Sequence, residues 1–162
     1  GDFVATASYI LRPRSFTGWL DPGVFGTLGV GSGFALGAKL CHPSSTVWII
    51  FGDGSFGYSL IEFDTFIRHN IPVIAIIGND AGWTQIARDQ VDILEDPIGT
   101  KLKYTKYDLA ITGIGGCGLS IEKEKDINKV LTKAKENASQ GMPVAINVKI
   151  ENTDFRKGSI SI

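Results

Sequence analysis

Cysteine, histidine and an excess of either charge are all scarce in this 162-residue chain. It contains two cysteines and two histidines, and its formal net charge is −1. The cysteines, Cys41 and Cys117, lie far apart and fit neither the spacing of metal ligands nor a disulfide framework. A nearly neutral chain has no general electrostatic attraction for nucleic acid or an anionic membrane. We therefore expect no nucleic-acid partner and no structural metal or disulfide scaffold.

Long hydrophobic runs are also missing. A helix that spans a bilayer needs roughly 18 or more apolar residues, whereas the longest apolar run here, residues 72–77, suits a buried strand. The first residues, from Gly1 to Val4, contain no initiator methionine and no basic stretch that leads into an apolar one. We expect residues 1–162 to form one domain without a membrane segment, as the C-terminal part of a longer multidomain protein.

Strand-like and helix-like patterns alternate along the chain. Strands are predicted at residues 3–7, 46–51, 72–77, 118–121 and 143–150. Helices are predicted at residues 31–40, 59–69, 83–88, 107–111 and 122–140. The central strands are almost wholly apolar, which is typical of strands covered on both faces. The predicted fold is an α/β domain with a doubly wound, mostly parallel sheet and helices on both faces. The strand order does not follow from the pattern.

Two consecutive predicted strands end in glycine-rich loops that carry carboxylates. Gly52-Asp53-Gly54-Ser55 follows the first strand, and Asn79-Asp80-Ala81-Gly82 follows the second. Ligands of such sheets bind beyond the carboxyl ends of the strands, so neighbouring strands would bring both loops to one edge. The glycines let backbone amides approach a bulky anion. Mg²⁺ is usually held by one or two carboxylates together with ligand phosphates. The loops therefore predict a metal ion that bridges Asp53 and Asp80 to a diphosphate.

The two loops together resemble the signature of thiamine diphosphate enzymes. A single Gly-Asp-Gly is most often an ordinary turn, but here 24 residues separate it from Asn79-Asp80, with a helix and a strand between them. Gly26-Thr27-Leu28-Gly29 resembles the segment that grips the aminopyrimidine ring in the decarboxylase and acetohydroxyacid synthase branch. The stretch from Gly52 to Gln90 is most similar to acetolactate-synthase-like proteins that act as 2-hydroxyacyl-CoA lyases. The resemblance covers essentially the whole chain.

The resemblance implies thiamine diphosphate and Mg²⁺ as cofactors, and it implies a role for each matching position. The metal ligands would be the side chains of Asp53 and Asp80 and the backbone carbonyl of Gly82. The diphosphate would be held by Gly52, Gly54 and Ser55, and Asn79 would brace the loop. The aminopyrimidine would be bound by Gly26, Thr27 and Leu28, with the leucine as a wedge that bends the cofactor. Asp80 departs from the family, which more often has asparagine there.

The same resemblance implies an activity and partners. We expect cleavage of 2-hydroxyacyl-CoA to an aldehyde and formyl-CoA, with acetolactate-synthase-type carboligation or decarboxylation of a 2-keto acid as the alternative. No catalytic side chain is expected on this chain. In the family the activating glutamate lies on a pyrimidine-binding domain, usually of another subunit, so we expect a homodimer or homotetramer and an isolated chain without turnover. The implied location is intracellular, in the endoplasmic reticulum or the cytoplasm.

Two alternatives of other classes stay open at this point. Gly31-Ser32-Gly33 before a helix, with Asp53 some twenty residues later, mimics a dinucleotide-binding fingerprint. However, these glycines follow a Pro/Gly-rich loop rather than a strand, and the fingerprint leaves Asn79-Asp80 unexplained. The other alternative is a non-catalytic assembly module that keeps the fold, which the presence of Asp53, Asp80 and Leu28 disfavours.

Overall fold

A parallel β-sheet forms the centre of the computed structural model, which describes residues 1–153. Within that part of the chain the sheet has four strands: β1 Val47–Gly52, β2 Val73–Asn79, β3 Cys117–Ile121 and β4 Val144–Lys149. Their spatial order is β1-β2-β4-β3, and each neighbouring pair is parallel. The predicted α/β class with a parallel sheet is confirmed, and four of the five predicted strands are present.

Helices connect the strands. Those in residues 1–153 are α1 Asp2–Ile10, α2 Gly31–Cys41, α3 Asp53–Ser59, α4 Glu62–Arg68, α5 Thr84–Leu94, α6 Tyr107–Gly113 and α7 Ile127–Ser139. Short 3-10 turns occupy Gly23–Phe25 and Glu124–Asp126. Each of these helices is too short or too polar to cross a membrane.

Both faces of the sheet are covered, as the apolar strands predicted. One face packs on a cluster rich in aromatic residues from α3, α4 and α6, and the other packs on α7. Consecutive residues of β2 alternate between the two cores, with Val73 in the first and Ile74 in the second. The ring of Phe56 on α3 is central to the first core, since it makes edge-on contacts with Phe51 and Tyr107 at centroid distances of 5.4 and 5.1 Å. This packing fixes α3 against the sheet.

The predicted strand at residues 3–7 is wrong, because this segment is helix α1. A run of so few apolar residues cannot distinguish strand from helix by periodicity, and tertiary contacts decide the outcome. The Phe3 ring lies so close over Gly78 that a Cβ there would overlap it. Asp2, in the first turn of α1, forms an ion pair of 2.5 Å with Arg88 on α5, where a negative charge also suits the helix dipole.

The helix predicted at residues 59–69 begins earlier and is divided. The residues after β1 form α3, which starts at Asp53 itself, and α4 follows after a turn. The glycines in Asp53–Ser59 weaken the helical signal of that stretch, which explains why the sequence suggested a loop. The consequence for the site is that Asp53 stands in the first turn of a helix, at the carboxyl end of β1.

Gly118 on β3 allows close packing of α6, and this gives a stability prediction. A Cβ at Gly118 would overlap the backbone carbonyl of Asp108, which cannot move aside as a flexible side chain could. We expect Gly118→Ala to lower the free energy of unfolding by about 1–3 kcal/mol or more, as overpacking does. The matched control is Gly37→Ala on α2, where a Cβ meets no atom within 4 Å and helix propensity should add about 0.5–1 kcal/mol. Urea denaturation measures both, and equal effects would contradict this account.

Candidate functional site

The two glycine-rich loops meet at one edge of the sheet. β1 and β2 pair in parallel with Gly52 opposite Gly78, so the chain leaves both strands at the same level. The Gly82 N–H donates to Asp53 Oδ2 at 3.2 Å, which joins the loops directly. The Gly54 N–H donates to Asp53 Oδ1 at 2.9 Å. Asp53 is therefore the residue around which the two loops assemble.

Asp53 is a buried carboxylate beside a second carboxylate. Its residue is only 2% exposed. Burial raises the pKa of Asp53 to about 6, and the nearby charge of Asp80 also raises this pKa, while the amide hydrogen bonds from Gly54 and Gly82 lower it. Such a pair of carboxylates is unfavourable without a compensating positive charge. The site therefore fits a cation on physical grounds.

The donor set fits Mg²⁺ better than a transition metal. Residues 1–153 contain no group of three or more histidine, cysteine, aspartate or glutamate side chains that could hold a metal ion. An ion at Asp53 and Asp80 would need further oxygens from the backbone or from a ligand. Mg²⁺ is commonly bound in this way, through one or two carboxylates and the phosphates of its ligand.

Asp80 is oriented by a hydroxyl and an amide. The Thr84 hydroxyl, in the first turn of α5, donates to Asp80 Oδ2 at 2.5 Å. The side-chain nitrogen of Asn152, turned toward the loop, lies 3.1 Å from the same oxygen and 3.0 Å from the Asp80 carbonyl. Asn152 follows β4, so its chain reaches the same edge of the sheet. Sequence reasoning missed it, and the only available signal was its position just beyond the carboxyl end of a predicted strand.

A short antiparallel bridge between Gly82 and Lys101 connects the second loop to the segment that precedes α6. The Trp83 N–H donates to the Thr100 carbonyl, and the Leu102 N–H donates to the Ala81 carbonyl, each at 2.8 Å. The Gly82 carbonyl is therefore not used by these two bonds, and the Gly82 N–H is the group that contacts Asp53.

Asn79 lies inside the second loop and is 2% exposed. Its Oδ1 accepts from the Ala81 N–H at 3.3 Å, and its Nδ2 donates to the Thr105 carbonyl at 3.1 Å. Ala81 has a φ of 58°, in the left-handed region that a residue with a side chain rarely adopts. The Asn79 amide supports this turn, much as an Asx turn does.

The start of α3 leaves no room for a side chain at Gly54. A Cβ there would lie 2.6 Å from the indole ring of Trp83, the residue that follows the second loop. A tryptophan from one loop thus covers the glycine of the other, and its ring approaches Tyr58 at 6.1 Å. This is a packing reason for glycine at position 54, distinct from the anion access predicted from the sequence.

The segment Gly26-Thr27-Leu28-Gly29 reaches the first loop through a single described bond. The Gly29 N–H donates to the Ser55 hydroxyl at 3.4 Å. Leu28 is 43% exposed and lines a cleft of about 290 Å³ together with residues that include Tyr58, Trp83 and Ile86. Gly26, with a φ of 54°, and Thr27 are exposed. The structure thus joins the first two loops tightly, and the third element opens onto the cleft beside them.

Tyr107 is a second residue that sequence reasoning missed. Its hydroxyl, at the start of α6, donates to the backbone carbonyl of Asp53 at 3.1 Å in a buried position. Burial raises the pKa of Tyr107, and the charge of Asp53 raises this pKa further, so the hydroxyl keeps its proton and acts as a donor. The sequence offered no signal for this contact, because the two residues are 54 positions apart.

The chain belongs to the family of thiamine pyrophosphate enzyme C-terminal TPP-binding domains, whose model matches residues 1–148. It is 58% identical to 2-hydroxyacyl-CoA lyase 2 of Bos taurus, over all of this chain and 26% of that protein. It is 34% identical to the acetolactate synthase large subunit IlvG of Mycobacterium tuberculosis, over 91% of this chain and 27% of that protein. The chain thus spans about a quarter of the length of these curated relatives.

A solved structure supports the fold. The Rhodococcus jostii RHA1 thiamine diphosphate-dependent 4-hydroxybenzoylformate decarboxylase matches with a TM-score of 0.68 at 24% identity, over 80% of this chain and 24% of that one. The resemblance to thiamine diphosphate enzymes is confirmed, and thiamine diphosphate is the cofactor of the family. The dinucleotide-binding alternative is not supported, since a 3-10 turn rather than a strand precedes Gly31.

The buried carboxylate gives a pH prediction for the metal-free protein. The pKa of Asp53 is raised from 3.8 to about 6, so between these values the native state holds a proton that the unfolded chain has lost. The stability contributed by this proton is fully present below about pH 4 and is lost as the pH rises through about 6. We expect the Tm in EDTA to fall over that window because of Asp53.

The variant Asp53→Asn isolates this effect. It keeps the shape of the side chain but cannot ionise, so it should lose the fall in Tm between about pH 4 and 6. Asp64→Asn, which changes an exposed carboxylate paired with Arg68 on α4, should keep the wild-type dependence. A wild-type pH profile in Asp53→Asn would show that another group is responsible.

Proposed function

We propose that this chain is the diphosphate- and metal-binding domain of a thiamine diphosphate-dependent lyase that cleaves 2-hydroxyacyl-CoA to an aldehyde and formyl-CoA. The observation that carries the proposal is 58% identity to a 2-hydroxyacyl-CoA lyase 2 over the whole chain, against 34% for an acetolactate synthase. The joined loops around Asp53 support the metal-binding part of the proposal, because they bring the charges of Asp53 and Asp80 together at one edge of the sheet.

In this proposal the chain holds the charged end of the cofactor. Mg²⁺ would bind the side chains of Asp53 and Asp80 and the carbonyl of Gly82. The diphosphate would bind at the start of α3 through Gly52, Gly54 and Ser55, where the first backbone N–H groups of a helix favour an anion. Asn79 would stabilise the conformation of the second loop through its hydrogen bond with the Ala81 N–H. A bound Mg²⁺ would offset the repulsion between the two carboxylates and the diphosphate.

The aromatic end of the cofactor would lie beside Gly26, Thr27 and Leu28. When bound, thiamine diphosphate supplies the electron sink that stabilises a carbanion during carbon–carbon bond cleavage. The residues of this chain would bind and orient it, and the Trp83 ring packs over Gly54 where the two loops meet. No side chain of this chain is assigned to proton transfer, because the activating glutamate is expected on the pyrimidine-binding domain.

A partner domain is part of the proposal. Val24 and Phe25, next to the aminopyrimidine segment, are 77% and 88% exposed. Large apolar side chains grouped at a cofactor cleft favour association with another protein surface. We propose that the pyrimidine-binding domain of the same enzyme, from another subunit of a homodimer or homotetramer, covers them. A location in the endoplasmic reticulum or cytoplasm stays a prediction of the resemblance.

The lyase activity can be tested on the full-length protein loaded with thiamine diphosphate and Mg²⁺. We expect formyl-CoA release from a 2-hydroxyacyl-CoA with kcat/KM at least about 10-fold above that for any 2-keto acid, since specificity is the ratio of these constants. Carboligation or decarboxylation of 2-keto acids without lyase activity would instead favour the acetolactate synthase or decarboxylase alternative. Tight cofactor binding without turnover of either substrate class would favour the non-catalytic module.

The metal ligands can be tested by comparing two substitutions. Asp53→Ala removes the buried carboxylate and should abolish Mg²⁺-dependent binding of thiamine diphosphate. Asp80→Asn keeps a neutral oxygen at the same reach, so it should bind Mg²⁺ more weakly but fold normally. Calorimetric titration of the cofactor at several Mg²⁺ concentrations measures both, with Asp64→Ala as an exposed carboxylate control. Unchanged affinity in Asp53→Ala, or tighter Mg²⁺ binding in Asp80→Asn, would contradict the assignment.

A further inference from the structure

We propose that Thr105, Tyr107 and Asn147 form a brace that sets the relative position of the two metal loops, with Tyr107 and Asn147 as positioning residues. The brace lies behind the loops and supplies no metal ligand. This inference rests on the proposed function, because it assigns residues that tune the metal site. It adds two side chains from α6 and β4 to a site otherwise built from the ends of β1 and β2.

The first arm of the brace holds the Asp53 loop. The Tyr107 hydroxyl donates to the Asp53 carbonyl at 3.1 Å. The position of that hydroxyl is fixed by core packing, since the Tyr107 ring meets Phe56 edge-on at 5.1 Å with an interplanar angle of 86°. A hydrogen bond to the backbone of the ligand residue itself restrains the Cα of Asp53. Its carboxylate therefore has little freedom to move away from the second loop.

The second arm holds the Asp80 loop through Asn79. The Nδ2 of Asn79 donates to the Thr105 carbonyl and to Asn147 Oδ1, both at 3.1 Å. Asn147 Nδ2 donates to the same Thr105 carbonyl at 3.0 Å, and to Asp108 Oδ1 at 3.2 Å. Asn79 directly precedes Asp80 and also supports the turn at Ala81. The amide pair thus transmits the position of Thr105 to the second carboxylate.

The two arms start from Thr105 and Tyr107, which are two positions apart in the chain. Thr105 holds one loop and Tyr107 holds the other, so the distance between the loops depends on the short segment that leads into α6, where the Tyr107 N–H donates to the Thr105 carbonyl at 3.0 Å. Two carboxylates at one edge repel each other when no cation is present. A network that is fully hydrogen-bonded and partly buried can resist this repulsion, because breaking it would leave polar groups without partners. The brace therefore keeps the site assembled before the metal arrives.

The test uses Tyr107→Phe in the full-length protein, which removes one hydroxyl and keeps the ring. We expect the Mg²⁺ concentration for half-maximal thiamine diphosphate binding to rise about 10- to 100-fold, as for other residues that orient metal ligands. The value of kcat at saturating Mg²⁺ should stay near that of the wild type. Calorimetry measures the first quantity without any turnover.

A matched control lies three residues earlier. Tyr104→Phe removes a hydroxyl that donates to the Ile150 carbonyl at 3.1 Å. This is also a tyrosine bond to a backbone carbonyl from the same segment, but it is exposed and its acceptor lies outside both metal loops. We expect no change in Mg²⁺ dependence for this variant. A merely structural role for Tyr107 would lower the Tm of the metal-free protein without changing the Mg²⁺ dependence at temperatures well below unfolding.

The outcomes separate the brace from the proposed function. If wild-type binding of thiamine diphosphate does not depend on Mg²⁺, the proposed metal site fails and the brace fails with it. If the wild type depends on Mg²⁺ and Tyr107→Phe behaves identically, or Tyr104→Phe shifts equally, the brace alone is overturned. If Tyr107→Phe does not fold, Asn147→Ala replaces it. We expect the same rise in the Mg²⁺ concentration for half-maximal cofactor binding, and an unchanged Mg²⁺ dependence in Asn147→Ala overturns the brace.

Discussion

The parallel pairing of β1 with β2 is the constraint on which the rest of the site depends. Gly52 lies opposite Gly78, so both chains leave the sheet at one edge, as parallel strands must. The register is set by burial, because Val73 belongs to the aromatic core and Ile74 to the core under α7. A slip by one residue would exchange these faces and would also separate Asp53 from the Gly82 amide. Core packing and site geometry are therefore fixed by the same register.

The buried position of Asp53 shows what this geometry costs. A carboxylate that is only 2% exposed loses its hydration, and two amide hydrogen bonds compensate only in part, since its pKa remains raised. The fold accepts this penalty at a position where an apolar residue would pack more favourably. A buried carboxylate is expected where a cation completes the site, because a cation that binds only the folded protein offsets the cost of burying the charge.

The sequence predicted the parts of the site that are encoded locally. Gly-Asp-Gly and Asn79-Asp80 are contiguous motifs that directly follow apolar strands, so their meeting at one edge could be inferred, as the structure confirms. The roles assigned to their side chains stay predictions. Helix α1 was mistaken for a strand because the contact of Phe3 with Gly78 is a tertiary one. The contacts of Tyr107 with Asp53 and of Asn147 with Asn79 span 54 and 68 residues. Hydrogen bonds over such separations leave no periodic or compositional signal in one sequence.

The two ends of the proposed cofactor site differ in how much support they have. The loops at the charged end are held on several sides within this chain, by the Lys101 bridge, by Thr84 and by the brace. The segment at the aromatic end exposes Leu28, and its contacts with α3 come from Gly29, which packs against Tyr58 and donates one long hydrogen bond of 3.4 Å to Ser55. A rigid charged end can fix a diphosphate and its metal in one geometry. An open aromatic end requires a second surface to define it, which is why the proposed partner domain would control the chemistry while this chain controls the anchoring.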